Sequence, residues 1–98
     1  MEMQGILKQV GETRNVEITK RDGSKGLMKV REILVTNGID TVNAEVTDDY
    51  TLEALSKMAV GNTIAVRLRL YVREWKSQNG AEMKSNMIRV LEVAQVYQ

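Results

Sequence analysis

The sequence predicts an all-β domain: a five-stranded Greek-key β-barrel with one short helix between its third and fourth strands. Three observations lead there. Most segments are rich in Val, Ile and Thr and alternate apolar with polar residues, the period of a half-buried strand. Only the stretch after Asp48 carries apolar residues at helical spacing. Turn signals at Asp22-Gly23, Asn37-Gly38, Gly61-Asn62 and Asn79-Gly80 punctuate the chain, and there is no Pro.

The first strand is expected over residues 3–19, long enough to bend at Gly5 or Gly11, where a missing side chain allows a kink or bulge. Ile6 and Val10 share a side, and Val16 and Ile18 alternate with polar neighbours further on. Residues 20–26 form a polar loop suited to a turn. A second strand covers residues 27–36, but its alternation slips at Glu32-Ile33 and leaves the faces of Lys29 and Arg31 open. The third strand, residues 41–47, sets Val42, Ala44 and Val46 on one face.

The helix is expected over residues 49–59. Asp48 or Asp49 can cap it by accepting the orphan amides of the first turn. Leu52, Leu55 and Met58, with Ala59, make its apolar stripe, and Gly61 ends it. The fourth strand, residues 63–76, and the fifth, residues 83–97, are joined through Ser77-Gln78-Asn79-Gly80. Asn-Gly predicts a type I′ hairpin turn, in which both residues take positive φ. Three strands, a helix and a long hairpin is the element order of the OB-fold. A small α+β sheet with a long hairpin is the structural alternative.

The 98 residues, 11.1 kDa, hold one such domain, residues 1–98, large enough to fold without staples. Cys and His are both absent, which removes thiolate and imidazole metal ligands, disulfides and every Cys- or His-based nucleophile pair. The one close carboxylate pair, Asp48-Asp49, is explained by helix capping, and no phosphate-binding glycine loop is present. The expectation is a non-enzyme with no cofactor, no metal and no small-molecule substrate. The N-terminus lacks a basic start and an apolar run, and no apolar stretch is long enough to cross a bilayer. A cytoplasmic protein without membrane contact is therefore expected.

Net charge is +1, but it is unevenly spread: −2 over residues 1–49 and +3 over residues 50–98. The fourth strand concentrates the excess. Alternation puts Ile64, Val66, Leu68, Leu70 and Val72 on an apolar core face, and Ala65, Arg67, Arg69, Tyr71, Arg73 and Trp75 on the other. Guanidinium groups interleaved with flat rings suit single-stranded nucleic acid, since cations follow phosphates and unpaired bases stack on aromatics. Lys20, Arg21 and Lys25 in the first loop, and Lys76 at the last hairpin, extend this candidate site along two basic rims. Two other readings stay open. The same residue types line protein interfaces, including a homodimer contact, and Glu92 or Glu45 could neutralise the arginines as an ordinary solvated face.

Several stretches resemble small bacterial single-domain OB-fold proteins related to single-stranded DNA-binding proteins, a largely uncharacterised family. They are the opening Met-Glu-Met-Gln-Gly, Lys29 to Val35, Val60-Gly61-Asn62, Arg73-Glu74-Trp75 followed by Asn79-Gly80, and Ile88 to Val93. The resemblance implies an OB barrel that binds single-stranded DNA (or RNA). The chain departs from the family pattern where Glu82 and Met83 follow the last turn, and where Met28 and Ile33 occupy the second strand. Aromatic residues are usual at both places, so base platforms are fewer here.

Overall fold

The computed structural model describes residues 1–97. It is mostly β, with a single short helix. The strands are β1 (Glu2–Val10), β2 (Arg14–Thr19), β3 (Lys25–Thr36) and β4 (Thr41–Val46), then β5 (Thr63–Lys76) and β6 (Glu82–Gln95). The helix α1 (Asp49–Ser56) lies between β4 and β5. Five strands close on one another in the order β1–β5–β6–β4–β3, and β3 returns to β1. All neighbours are antiparallel except β4 and β6, which run parallel with Glu45 opposite Arg89.

The expected first strand is two strands, so the helix follows the fourth strand and not the third. β1 and β2 lie end to end along β3, with Val10 opposite Ile33 and Arg14 opposite Val30. Three residues, Gly11 to Thr13, thus stand against two, Arg31 and Glu32, and pairing breaks there. The break is pinned from β3: Gly11 N–H donates to Glu32 O at 2.8 Å, and Arg31 Nε donates to Gly11 O at 2.6 Å. It also explains the slipped alternation, since Val30 and Ile33 are both buried.

The core is apolar and continuous. Leu7, Ile33, Val35, Ala44, Val46, Leu55, Ile64, Val66, Leu68 and Val90 make up its buried cluster. The period-two residues of β4 behave as expected, with Ala44 and Val46 buried and Val42 packed against them. Gly5 is where β1 passes from β5 to β3, with Ile64 opposite it and its neighbour Ile6 opposite Thr36. A Cβ there would sit 2.4 Å from the Thr36 carbonyl oxygen, so close approach requires Gly.

Asp48 caps α1: its carboxylate accepts from the Thr51 amide at 2.9 Å and the Thr51 hydroxyl at 2.7 Å. The helix ends three residues earlier than expected. Lys57 and Met58 donate to Ala54 and Leu55 in tightened last-turn bonds, and the Asn62 side chain takes the Ala59 amide at 2.8 Å. Leu55 is buried, and Leu52 and Met58 pack on the core, as the stripe predicted, whereas Ala59 lies beyond the helix and is exposed.

The last hairpin is not a type I′ turn. Gly80 alone has positive φ, +84°, and Asn79 does not. Gly80 N–H donates to Ser77 O at 2.9 Å and Ser77 N–H to Ala81 O at 2.9 Å, closing a longer loop of residues 77–81. The turn at residues 20–24 repeats this scheme, with Gly23 at φ +84°.

Candidate nucleic-acid interface

β5 and β6 are longer than the ring they help to close. β1 pairs with β5 only up to Arg67, and β4 meets β6 at Arg89. From there to the turn, the two strands continue as a projecting ribbon, paired from Arg69–Arg89 to Lys76–Glu82. This overturns part of the expected core face. Ile64, Val66 and Leu68 are buried, but Leu70 is 59% and Val72 54% exposed, because among the described residues no third strand or helix covers them.

On the other face, register sets Arg69 beside Arg89, Tyr71 beside Met87, Arg73 beside Ser85 and Trp75 beside Met83. The cations lie against the rings. The guanidinium carbon of Arg73 is 5.7 Å from the Trp75 centroid, and those of Arg89 and Arg69 are 5.1 Å and 6.0 Å from Tyr71. Such contacts are worth roughly 0.5–1 kcal/mol where exposed, and they leave the guanidinium edge free to donate. Trp75 is 41% exposed and does not pack into the core. Among the described residues, neither Arg69 nor Arg73 has a carboxylate partner.

The base of this face is more constrained. Tyr71 Oη donates a short hydrogen bond to Glu45, and Arg89 reaches the same carboxylate at 3.1 Å and the Tyr71 hydroxyl at 3.2 Å. Burial, with the Glu45 carboxylate beside it, holds the Tyr71 hydroxyl above the ordinary phenol value of 10.0, against a smaller opposing pull from Arg89. Tyr71 is therefore anchored by its oxygen, and the half-buried ring is fixed in place.

The remaining predicted residues separate from this ribbon. Arg67 pairs with Glu92 at 2.7 Å and lies at the ring end of β5. Lys25 opens β3 and pairs with Glu17 at 3.2 Å. Lys20 and Arg21 are exposed in the turn before it. There the Ser24 hydroxyl and amide hold Asp22 below the usual carboxylate value. Lys76 ends β5, opposite Glu82.

The two basic rims do not form one patch. β3 meets β4 from Arg31–Val46 to Thr36–Thr41, so the turn at residues 20–24 lies beyond the Val46 end of β4. The parallel pairing of β4 with β6 puts the tip at residues 77–81 beyond its Thr41 end. Between them stand two carboxylates, Glu32, which bonds Arg14 and Asn43, and Glu45, which pairs with Arg89. The side chains that the ribbon brings together are Arg69, Tyr71, Arg73 and Trp75, with Arg89.

Sequence reasoning passed over Arg89, and the reason is register. A two-residue Asn-Gly turn would pair residue 78 with 81 and bring Arg89 opposite Leu70, on the apolar face. The longer loop shifts pairing by one residue and turns Arg89 toward Tyr71. Among the described residues, no group of carboxylates gathers where a metal ion could be held, and no helix is long and apolar enough to cross a membrane. No protein-family model matches the sequence, and neither does any curated protein.

Proposed function

We propose that the protein is a non-catalytic binding module for single-stranded nucleic acid, DNA in preference to RNA, built on an OB-type barrel. The ring order supports the barrel reading. With β1 and β2 standing for one bent strand, the pairing follows the five-stranded Greek key, including its one parallel contact. The resemblance to small bacterial relatives of single-stranded DNA-binding proteins agrees with it, and the lack of Cys fits a reducing cytoplasmic setting.

One observation carries the functional reading. Three guanidinium groups and two aromatic rings share one face of a projecting ribbon, and among the described residues Glu45 pairs with one of those groups, Arg89. In this reading Arg69 and Arg73 swing off the rings onto phosphates, with Arg89 beside them, and the ring faces of Tyr71 and Trp75 so freed take unpaired bases, each worth about 1–3 kcal/mol. Two rings make a short platform, so affinity is modest and largely electrostatic. Neutralising about three phosphates gives a log-log salt slope near −2, from about −0.7 per phosphate on a single strand.

Titrating the protein with a single-stranded oligonucleotide while following Trp75 fluorescence tests this. Quenching that weakens with salt along that slope is expected. Unchanged emission at every oligonucleotide concentration would overturn the proposal.

A further inference from the structure

Two Asn-Gly steps lie in exposed loops: Asn37-Gly38 between β3 and β4, and Asn79-Gly80 at the tip of the last hairpin. In such a step the glycine nitrogen can close a succinimide ring onto the asparagine Cγ, because no side chain on the glycine stands in the way. Both glycines meet that condition, with φ of +92° and +84° and no atom within 4 Å of where a Cβ would stand. Hydrogen bonding separates them. Asn37 Oδ1 accepts from the backbone amides of Ile39 at 2.8 Å and Asp40 at 2.7 Å. Two fixed donors thus face the oxygen that turns negative when Cγ is attacked. The Gly38 amide donates only to the Thr36 hydroxyl, at 3.2 Å, while another bond closes the loop, from the Asn37 amide to Asp40 O at 3.1 Å. At the hairpin tip it is the Gly80 amide itself that closes the turn, onto Ser77 O at 2.9 Å. Asn79 Oδ1 has the Ser77 hydroxyl and one backbone amide, that of Ala81 at 3.2 Å, shared with Ser77 Oγ.

We propose that Asn37 is a self-modification site, where the chain converts its own asparagine to aspartate and isoaspartate. The Gly38 nitrogen gives its proton to water and bonds to Asn37 Cγ, and the Ile39 and Asp40 amides hold the oxyanion that forms. The bond from Cγ to Nδ2 then breaks, and ammonia leaves with a proton regained from water. A second water opens the succinimide at either carbonyl, so the balance is one water consumed and one ammonia released. The product carries a carboxylate in place of a neutral amide, which takes the formal net charge from +1 to zero. In the isoaspartate form the loop also gains a backbone methylene just beyond Thr36–Thr41, the last pair of the β3–β4 ladder. Ile39 is 91% exposed, so the loop tip is free to take up that length. At Asn79 the same attack must first break the bond that closes the turn, so the hairpin that carries Trp75 keeps its amide longer.

Ageing the full chain at mildly alkaline pH, followed by peptide mapping and enzymatic methylation of isoaspartyl carboxylates, tests this without nucleic acid. Asn37 should convert first, about tenfold ahead of Asn79, the scale set by one hydrogen bond that must be broken. Unfolding the chain in urea should bring the two rates together, since each step is then an Asn-Gly in open chain. Asn37→Gln should remove the fast conversion and leave the slow one. Conversion of Asn79 first, equal rates in the folded chain, or the same preference in urea would overturn the proposal. So would a folded chain whose Asn37 stays intact after its unfolded counterpart has converted.

Discussion

Replacing Gly5 by Ala should loosen the closure of the ring, and its cost can be worked out from three glycines. At Gly5 the new Cβ would lie 2.4 Å from the carbonyl oxygen of Thr36 and 2.8 Å from its carbon. Both are backbone atoms, so relief requires β1 and β3 to move apart where they close the ring. Overpacking of this kind costs typically 1–3 kcal/mol, and a contact with backbone belongs at the upper end. Gly→Ala also removes freedom from the unfolded chain, which offsets roughly 0.4–1 kcal/mol because φ at Gly5 is not positive. The net loss is about 2 kcal/mol, or a Tm lowered by roughly 8–16 °C for a domain of this size.

Gly26 supplies the contrast. A Cβ there would meet the Lys20 Cε at 2.8 Å, the far end of a flexible side chain that can swing away. Gly26→Ala should therefore be neutral or stabilising by up to about 1 kcal/mol. At Gly11 the nearest atom is the Glu32 oxygen at 3.3 Å, which predicts an intermediate loss. Thermal unfolding of the three variants, followed by circular dichroism, reads the series. A Gly5→Ala protein as stable as the original, or a Gly26→Ala protein that loses as much, would refute ring closure at Thr36.

The core boundary along β5 predicts that Leu68→Ala costs about 2–5 kcal/mol in urea unfolding, since Leu68 is buried, whereas Leu70→Ala costs clearly less. Tyr71 supplies a pH signature. Its folded pKa lies above the free phenol value of 10.0, so the neutral hydroxyl adds stability that is complete below that value and lost as pH rises through the folded pKa. Tyr71→Phe should remove a raised tyrosine transition from an ultraviolet titration and flatten the alkaline fall in stability above the phenol value of 10.0. Glu45→Gln should tighten oligonucleotide binding several-fold and steepen its salt dependence, because it removes the carboxylate that partly neutralises Arg89; fluorescence titration at matched salt measures it.

Much of this architecture is legible in the sequence, and its failures share a cause. Strand identity follows from local alternation, and the helix start from the chemistry of Asp48, so both survive. What local pattern cannot report is how far a neighbour extends. Leu70 and Val72 alternate correctly with Leu68, but the partners that bury Leu68 end there, and the same period that marks the core runs on into solvent. The break at residues 11–13 is likewise set by a count across strands, three residues against two, although Gly11 marked the place.

The site shows the same division. The faces of Arg69, Tyr71, Arg73 and Trp75 were readable from period two, as was the candidate neutraliser Glu92, which does take Arg67. Arg89 was not readable, because its face depends on one residue of loop length at the last hairpin. The dispersal of Lys20, Arg21 and Lys25 away from the ribbon follows from the parallel β4–β6 contact, which brings together segments more than forty residues apart.

The chain has a single indole, so the Trp75 Nε1–H resonance is unambiguous in an NMR titration with a single-stranded oligonucleotide. The account predicts that this signal moves together with the amides of residues 69–75 and 83–89, and that added salt reverses the shift. An indole that stays fixed while other surfaces respond, or a spectrum with no response at all, would contradict it.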